Sequence, residues 1–254
     1  MTVYETLMKT RTERGGGFFL LIDPDRGDLS ATLPLIESAQ ECGVDALLVG
    51  TSFVFETDFH QAVRKIKQAS ALPLILFPGA STQVAPGADA ILFMSLVSGR
   101  NPQYLLEEQV RGAPLIGISS AYGLALAYML IESASYTSVE YVSNTRPIPR
   151  TKSDLACAHA LAAQYLGMKM VYLESGSGAR LSVPEEMISK VSHAVDIPLI
   201  VGGDIVTPGD AEKKISSGAS FVVIGTRFES PGSTAKLHEF ADACHSASIV
   251  NKKQ

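Results

Sequence analysis

Apolar residues occur along this chain in short unbroken runs rather than in alternation. The eight runs are Phe18–Ile22, Ala46–Val49, Leu74–Phe77, Ile91–Met94, Leu115–Ile118, Met170–Leu173, Leu199–Val201 and Phe221–Ile224. Such runs suit strands buried on both faces. Helical patterns lie between most of them. These are residues 2–14, Leu33–Cys42, Phe59–Ala69, Pro102–Val110, Leu155–Leu166, Pro184–Ala194, Pro208–Ser217 and Thr234–Ser246. Pro184 and Pro208 suit a first helical turn. Eight strands alternating with helices predict an α/β fold of the TIM (β/α)8-barrel type, one domain over residues 1–254.

Two stretches break the alternation. Between Phe77 and Ile91 the chain is short and rich in Pro, Gly and Ala, so the helix after the third strand is predicted to be modified or missing. Gly79, Ala80, Ala85, Gly87 and Ala88 are small, and with Phe77, Phe93 and Tyr104 they predict an apolar trough in the gap between outer helices. About fifty residues separate the fifth and sixth apolar runs. They include Tyr128–Ile131 and Arg146-Pro147-Ile148-Pro149-Arg150-Thr151-Lys152, and they predict an insert over the mouth of the barrel.

Composition narrows the class. The 254 residues are 46% hydrophobic with a net charge of −5, which argues against a nucleic-acid partner. Cys42, Cys157 and Cys244 are scattered, as expected of thiols in a reducing, cytoplasmic setting. The N-terminal stretch has no apolar signal core. Ala113–Ile131 carries no charge, but its Pro, Gly, Ser and Tyr residues predict buried strand and loop rather than a membrane span.

Barrel chemistry sits at the C-terminal ends of the strands. There the sixth strand reads Met170-Val171-Tyr172-Leu173-Glu174 and runs into Ser175-Gly176-Ser177-Gly178. A loop nearly free of side chains lets backbone N–H groups approach an anion. A carboxylate beside it points to an acceptor that carries a phosphate and a hydroxyl to be deprotonated. Gly202-Gly203-Asp204 and Gly225-Thr226 end the next two strands and complete a phosphate cup. Asp23 and Asp25 end the first strand, and Ser52 follows the second. Asp23 with Ser52 suits a divalent cation such as Mg2+, whereas Asp25 is expected to cap a helix at Asp28–Leu33. No lysine ends a strand, since Lys169 precedes the sixth on the opposite face, so Schiff-base chemistry is disfavoured. The five histidines fall in helical stretches.

Motifs in the order Leu21-Ile22-Asp23-Pro24-Asp25, Leu76-Phe77-Pro78-Gly79, Ser98-Gly99-Arg100-Asn101-Pro102, Tyr172-Leu173-Glu174 with Gly176-Ser177-Gly178, and Val201-Gly202-Gly203 resemble the geranylgeranylglyceryl phosphate synthase family. That family includes heptaprenylglyceryl phosphate synthases, and this chain looks like its longer subgroup. The resemblance spans about Gly17 to Glu229. It implies a Mg2+-dependent prenyltransferase joining sn-glycerol 1-phosphate to a polyprenyl diphosphate. It implies metal binding at Asp23 and Ser52, and acceptor binding at Tyr172 through Gly178, Gly203, Asp204 and Gly225-Thr226. It also implies catalysis by Glu174 with Tyr172, and a lipid groove beside a modified third helix. Tyr128 is expected to position the acceptor or shield the allylic carbon. A homo-oligomer and transient membrane-surface contact are expected.

The chain departs from the family pattern where Thr51 interrupts a glycine pair, where Asp204 replaces a third glycine, and where Ala127 precedes Tyr128. Asp204 places a carboxylate beside the phosphate, which is repulsive. The rival readings are a barrel isomerase or lyase acting on a sugar phosphate, and a non-catalytic phosphate-binding relative.

Overall fold

The computed structural model describes residues 1–228 and 234–247, with only the backbone of Thr226, Thr234 and Ala235. Eight parallel strands close into a barrel in sequence order. They are β1 (Gly17–Ile22), β2 (Ala46–Val49), β3 (Leu74–Leu76), β4 (Ala90–Leu96), β5 (Tyr122–Leu130), β6 (Met170–Glu174), β7 (Leu199–Gly202) and β8 (Phe221–Ile224). Phe19 pairs with both Ala46 of β2 and Val223 of β8, which closes the ring.

Strand alternation divides the core in two. Phe19, Leu48, Ile75, Leu126 and Ile200 fill the barrel. Leu20, Leu47, Leu74, Val171 and Val222 face outward beneath the helices. The helices are α1 (Val3–Arg14), α2 (Leu29–Ala39), α3 (Phe59–Ala69), α4 (Glu108–Ser119), α5 (Ser138–Ser143), α6 (Ser153–Tyr165), α7 (Glu185–Ala194), α8 (Pro208–Ser216) and α9 (Thr234–Ser246). Helix α3 matches its predicted span, and Pro208 sits in the first turn of α8. Pro184 stands one step earlier than expected, as the N-cap of α7. The helix after β3 is reduced to a single 3-10 turn, Ser81–Gln83.

The fifth predicted strand is wrong. Leu115–Ile118 lies in α4, and β5 begins at Tyr122. A charge-free apolar run fits either element, and β5 is the stretch whose register serves both β4 and β6. Tyr128–Leu130 therefore belong to the barrel and not to the insert, which shortens to residues 131–169. Its tip folds as α5, and Ile148 pairs with Ile131 to hold it against the end of β5. The Ser98–Pro102 motif braces the same region. Ser98 Oγ accepts the Leu130 N–H at 2.9 Å, and Asn101 Nδ2 donates to Ser143 O at 2.8 Å. No helix among the described residues is long and apolar enough to cross a membrane.

Candidate active site

Glu174 is the last residue of β6 and only 7% exposed. Gly176 N–H donates to its Oε1 at 2.5 Å. Burial raises its pKa from 4.5 to about 7, against the opposing pull of the Gly176 and Ser175 N–H groups and of the Tyr172 and Tyr128 hydroxyls. The nest beside β6 thus gives one of its N–H groups to orienting this carboxylate. A base that titrates near neutrality is well matched to proton abstraction.

Tyr128 and Tyr172 are register partners on β5 and β6, so their rings stand side by side at 5.3 Å. Phe77, at the exit of β3, closes a ring of three, 5.4 Å from Tyr172 and 6.0 Å from Tyr128. The sequence placed Phe77 in an outer trough. Its signal is parity, since Phe77 shares the inward face with Ile75. Burial and the Glu174 charge raise both tyrosine pKa values well above 10.0. The buried Tyr172 hydroxyl lies beside the carboxylate, yet no hydrogen bond of good geometry satisfies it.

The glycines around this group are spatially required. A Cβ on Gly202 would stand 2.1 Å from Tyr172 Oη and 3.0 Å from Glu174 Oε2. One on Gly203, whose φ is +88°, would stand 2.2 Å from Ser175 Oγ and 2.6 Å from Glu174 Oε1. Ser175 is fully buried, and its N–H and hydroxyl both donate to Gly202 O. Ser177 and Gly178 are exposed and open to the cavity, while Leu173 points into the outer core. Thr137, which the sequence did not single out, caps α5 and packs on Gly176, tying the insert to the nest.

Asp204 follows in the left-handed region at φ +50°. Burial and the charge of Asp210 raise its pKa, and Lys214 pulls it back. Gly225 lines the same cavity. Thr226 opens a 3-10 turn, and its side chain lies outside the described residues.

Asp23 and Ser52 face the same cavity. Asp23 Oδ1 accepts the Asp25 N–H at 3.0 Å, and its Oδ2 pairs with Arg26 Nε at 3.4 Å. Asp25 does not cap α2; Asp28 does. Instead the Asp25 carboxylate accepts the N–H groups of Phe55 at 2.6 Å, Glu56 at 3.1 Å and Thr57 at 2.9 Å. It fixes the loop after β2. Thr51 is braced by Gln83, which donates to its carbonyl at 2.8 Å. Among the described residues no group of three or more His, Cys, Asp or Glu side chains could hold a metal. An ion at Asp23 and Ser52 would need substrate oxygens and water, the donor set Mg2+ accepts readily.

The cavity holds about 630 Å³ and reaches from the glycine cup past Glu174 to the gap after β3. There Val84, Phe93, Tyr104, Gly112 and Ile116 line an apolar trough. Ala85 and Ala88, expected along this trough, pack in the outer core instead.

Residues 8–244 match the family model described as the PcrB family. The chain belongs to the PcrB family. A relative in Thermococcus kodakarensis, named geranylgeranylglyceryl phosphate synthase, is 43% identical over 92% of this chain and 93% of its own. One of the same name in Flavobacterium johnsoniae is 41% identical over 90% of this chain and 94% of its own. Among solved structures, (S)-3-O-geranylgeranylglyceryl phosphate synthase from Thermoplasma acidophilum, in complex with sn-glycerol-1-phosphate, superposes with a TM-score of 0.90. It is 34% identical, covering 96% of this chain and 99% of that one. Tryptophan synthase from Mycobacterium tuberculosis, at 13% identity and a TM-score of 0.62, shares the fold alone.

Proposed function

We propose that this PcrB-family chain is a cytoplasmic prenyltransferase. It joins a polyprenyl diphosphate, geranylgeranyl diphosphate by the resemblance of its relatives, to the free hydroxyl of sn-glycerol 1-phosphate and forms an ether bond. The observation that carries this reading is one cavity with three parts in sequence: a glycine-lined cup, a buried carboxylate titrating near 7, and an apolar trough. A sugar-phosphate isomerase would need a second acid or base facing Glu174, and the Asp23 carboxylate is already paired with Arg26.

In this mechanism the nest at Ser177 and Gly178, with Gly203 and Gly225, takes the acceptor phosphate. The unsatisfied Tyr172 hydroxyl holds the acceptor hydroxyl against Glu174. As that oxygen attacks the allylic C1, the C1–O bond to the diphosphate breaks and Glu174 accepts the proton. The rings of Phe77, Tyr128 and Tyr172 present π faces to the positive charge that develops on the allylic carbon. Mg2+ bound at Asp23 and Ser52 would supply charge neutralisation of the diphosphate leaving group. The positioned base is worth roughly 10²–10⁴-fold in rate. The direct test is labelled glycerol 1-phosphate assayed against prenyl diphosphates of graded length. Ether product refutes a purely binding role, and its absence with every length would overturn the reading. The homo-oligomer expected from the sequence stays part of the proposal and is read by light scattering.

Two substitutions probe the two ends of the cavity. Replacing Asp204 with Gly removes a charge beside the cup and relieves a left-handed non-glycine residue. Acceptor binding is expected to tighten by about fivefold, roughly 1 kcal/mol, and more at low salt. Weaker binding by calorimetry would make Asp204 a recognition element for a different acceptor. At the far end, a Cβ on Gly112 would meet Ser81 and Val84 at ordinary distances of 3.8 and 3.9 Å. Gly112→Leu should therefore fold and fill the trough. KM for a 20-carbon diphosphate should rise while turnover of a 10-carbon one holds. An unchanged length preference would place the lipid tail elsewhere.

A further inference from the structure

The loops at the mouth of the barrel expose aromatic residues that the fold does not use. Phe53 is 64% and Phe55 79% exposed on the loop after β2, and Tyr136 is 92% exposed on the insert after β5. These loops are held in place. The Asp25 carboxylate takes three successive N–H groups of the first, and Thr57 Oγ1 donates to Pro24 O at 2.9 Å. On the insert, the Ser135 hydroxyl accepts the Arg180 N–H at 3.3 Å, and Thr137 packs on Gly176. Single exposed apolar side chains are ordinary, and Ile118 and Tyr165 are others on this chain; what sets Phe53, Phe55 and Tyr136 apart is that all three stand on the two loops flanking one apolar opening.

The position of these rings indicates what they touch. The catalytic cavity opens between the two loops, lined by Phe53 on one and by Ser138 and Val139 on the other. Its proposed substrate carries a long apolar tail, and its product is a lipid. The charges beside the rings are mixed, with Arg26 and Arg180 against Glu56 and Asp58, so no field of one sign marks an acidic or basic partner. Aromatic tips carried by two separate loops suit a soft surface better than a rigid protein face, because each can sink into the headgroup layer without a matching pocket.

We propose that the C-terminal mouth of the barrel rests on a lipid bilayer, anchored by Phe53, Phe55 and Tyr136, so that prenyl diphosphate enters and product leaves without crossing water. This inference rests on the prenyltransferase reading. It is tested by floating the full chain with vesicles of phosphatidylcholine, alone and mixed with phosphatidylglycerol, without substrate. The wild type is expected to bind both. The Phe55→Ser, Tyr136→Ser double variant, which leaves the cavity lining intact, should bind at least tenfold less. Its turnover of soluble geranyl diphosphate should stay within twofold, while turnover of a 20-carbon diphosphate held in vesicles should fall at least tenfold. No flotation of the wild type, equal flotation of the variant, or binding confined to anionic vesicles would overturn the proposal. So would a change of oligomeric state in the variant, which would assign the rings to a second copy. If the wild type turned over neither prenyl substrate, the prenyltransferase reading would fail, and the flotation result would be unaffected.

Discussion

Replacing Glu174 with Gln is expected to cut turnover at least a hundredfold and, above pH 7, to make the folded chain more stable. The kinetic effect follows from losing a carboxylate that, alone among the described residues, adjoins both the cup and the two tyrosines. Acceptor binding should be nearly intact, because Gln keeps an oxygen for the Gly176 N–H. The wild-type rate should rise with pH through a midpoint near 7 and then level, and the variant should lack this limb. The stability effect has the opposite sense. The folded-state pKa of about 7 lies above the ordinary 4.5, so burial favours the protonated acid. Stability from this group is fully present below pH 4.5 and is lost as pH rises through 7. The gap corresponds to roughly 3 kcal/mol. Denaturant titrations of both proteins at pH 5 and pH 8 read the difference. A near-normal kcat would remove Glu174 from the base role, and equal pH dependence of stability would show the carboxylate to be solvated.

Replacing Gly203 with Ala should damage the base and the cup together. Its φ of +88° costs a side chain about 1 kcal/mol or more. The new Cβ would also press on Ser175 Oγ, Glu174 Oε1 and the Gly176 nitrogen, the last at 2.8 Å. The base and the nest cannot both keep their places. We expect at least a hundredfold loss of kcat/KM with a raised acceptor KM, and a loss of stability of about 2 kcal/mol or more. Gly167→Ala, on the turn before β6 and away from the cavity, is the control. Its φ of +85° carries similar backbone strain, but nothing lies within 4 Å of the added carbon. It should cost about 1 kcal/mol of stability and far less activity. Equal kinetic effects of the two would trace the loss to backbone strain alone and clear the contacts around Glu174.

The sequence was sufficient for most of the barrel. Near-continuous apolar runs can be satisfied only where both faces of a strand are covered, so seven of the eight strands were legible from composition over three to five residues. The shortened segment after β3 was legible from length, because too few residues remain there for a helix. The glycines at three successive strand exits were legible because local backbone freedom is a property of the residue itself.

What the sequence left open depends on neighbours far along the chain. Leu115–Ile118 carries no charge and suits helix or strand, and only the pairing of Tyr122–Leu130 with both β4 and β6 decides between them. That pairing sets Tyr128 beside Tyr172, and Phe77 joins them from β3. Asp25 looked like a cap for the helix that follows it, but its partners lie some thirty residues on, at Phe55, Glu56 and Thr57. Ala85 and Ala88 have the small size expected of a trough, yet they pack in the outer core while Gly112 and Ile116 of α4 line the cavity. The near-neutral titration of Glu174 is the clearest case. A glutamate in sequence is an ordinary acid; burial beneath Tyr128 and Tyr172 makes it a base for pH 7, because desolvation and nearby dipoles act through space and not along the chain.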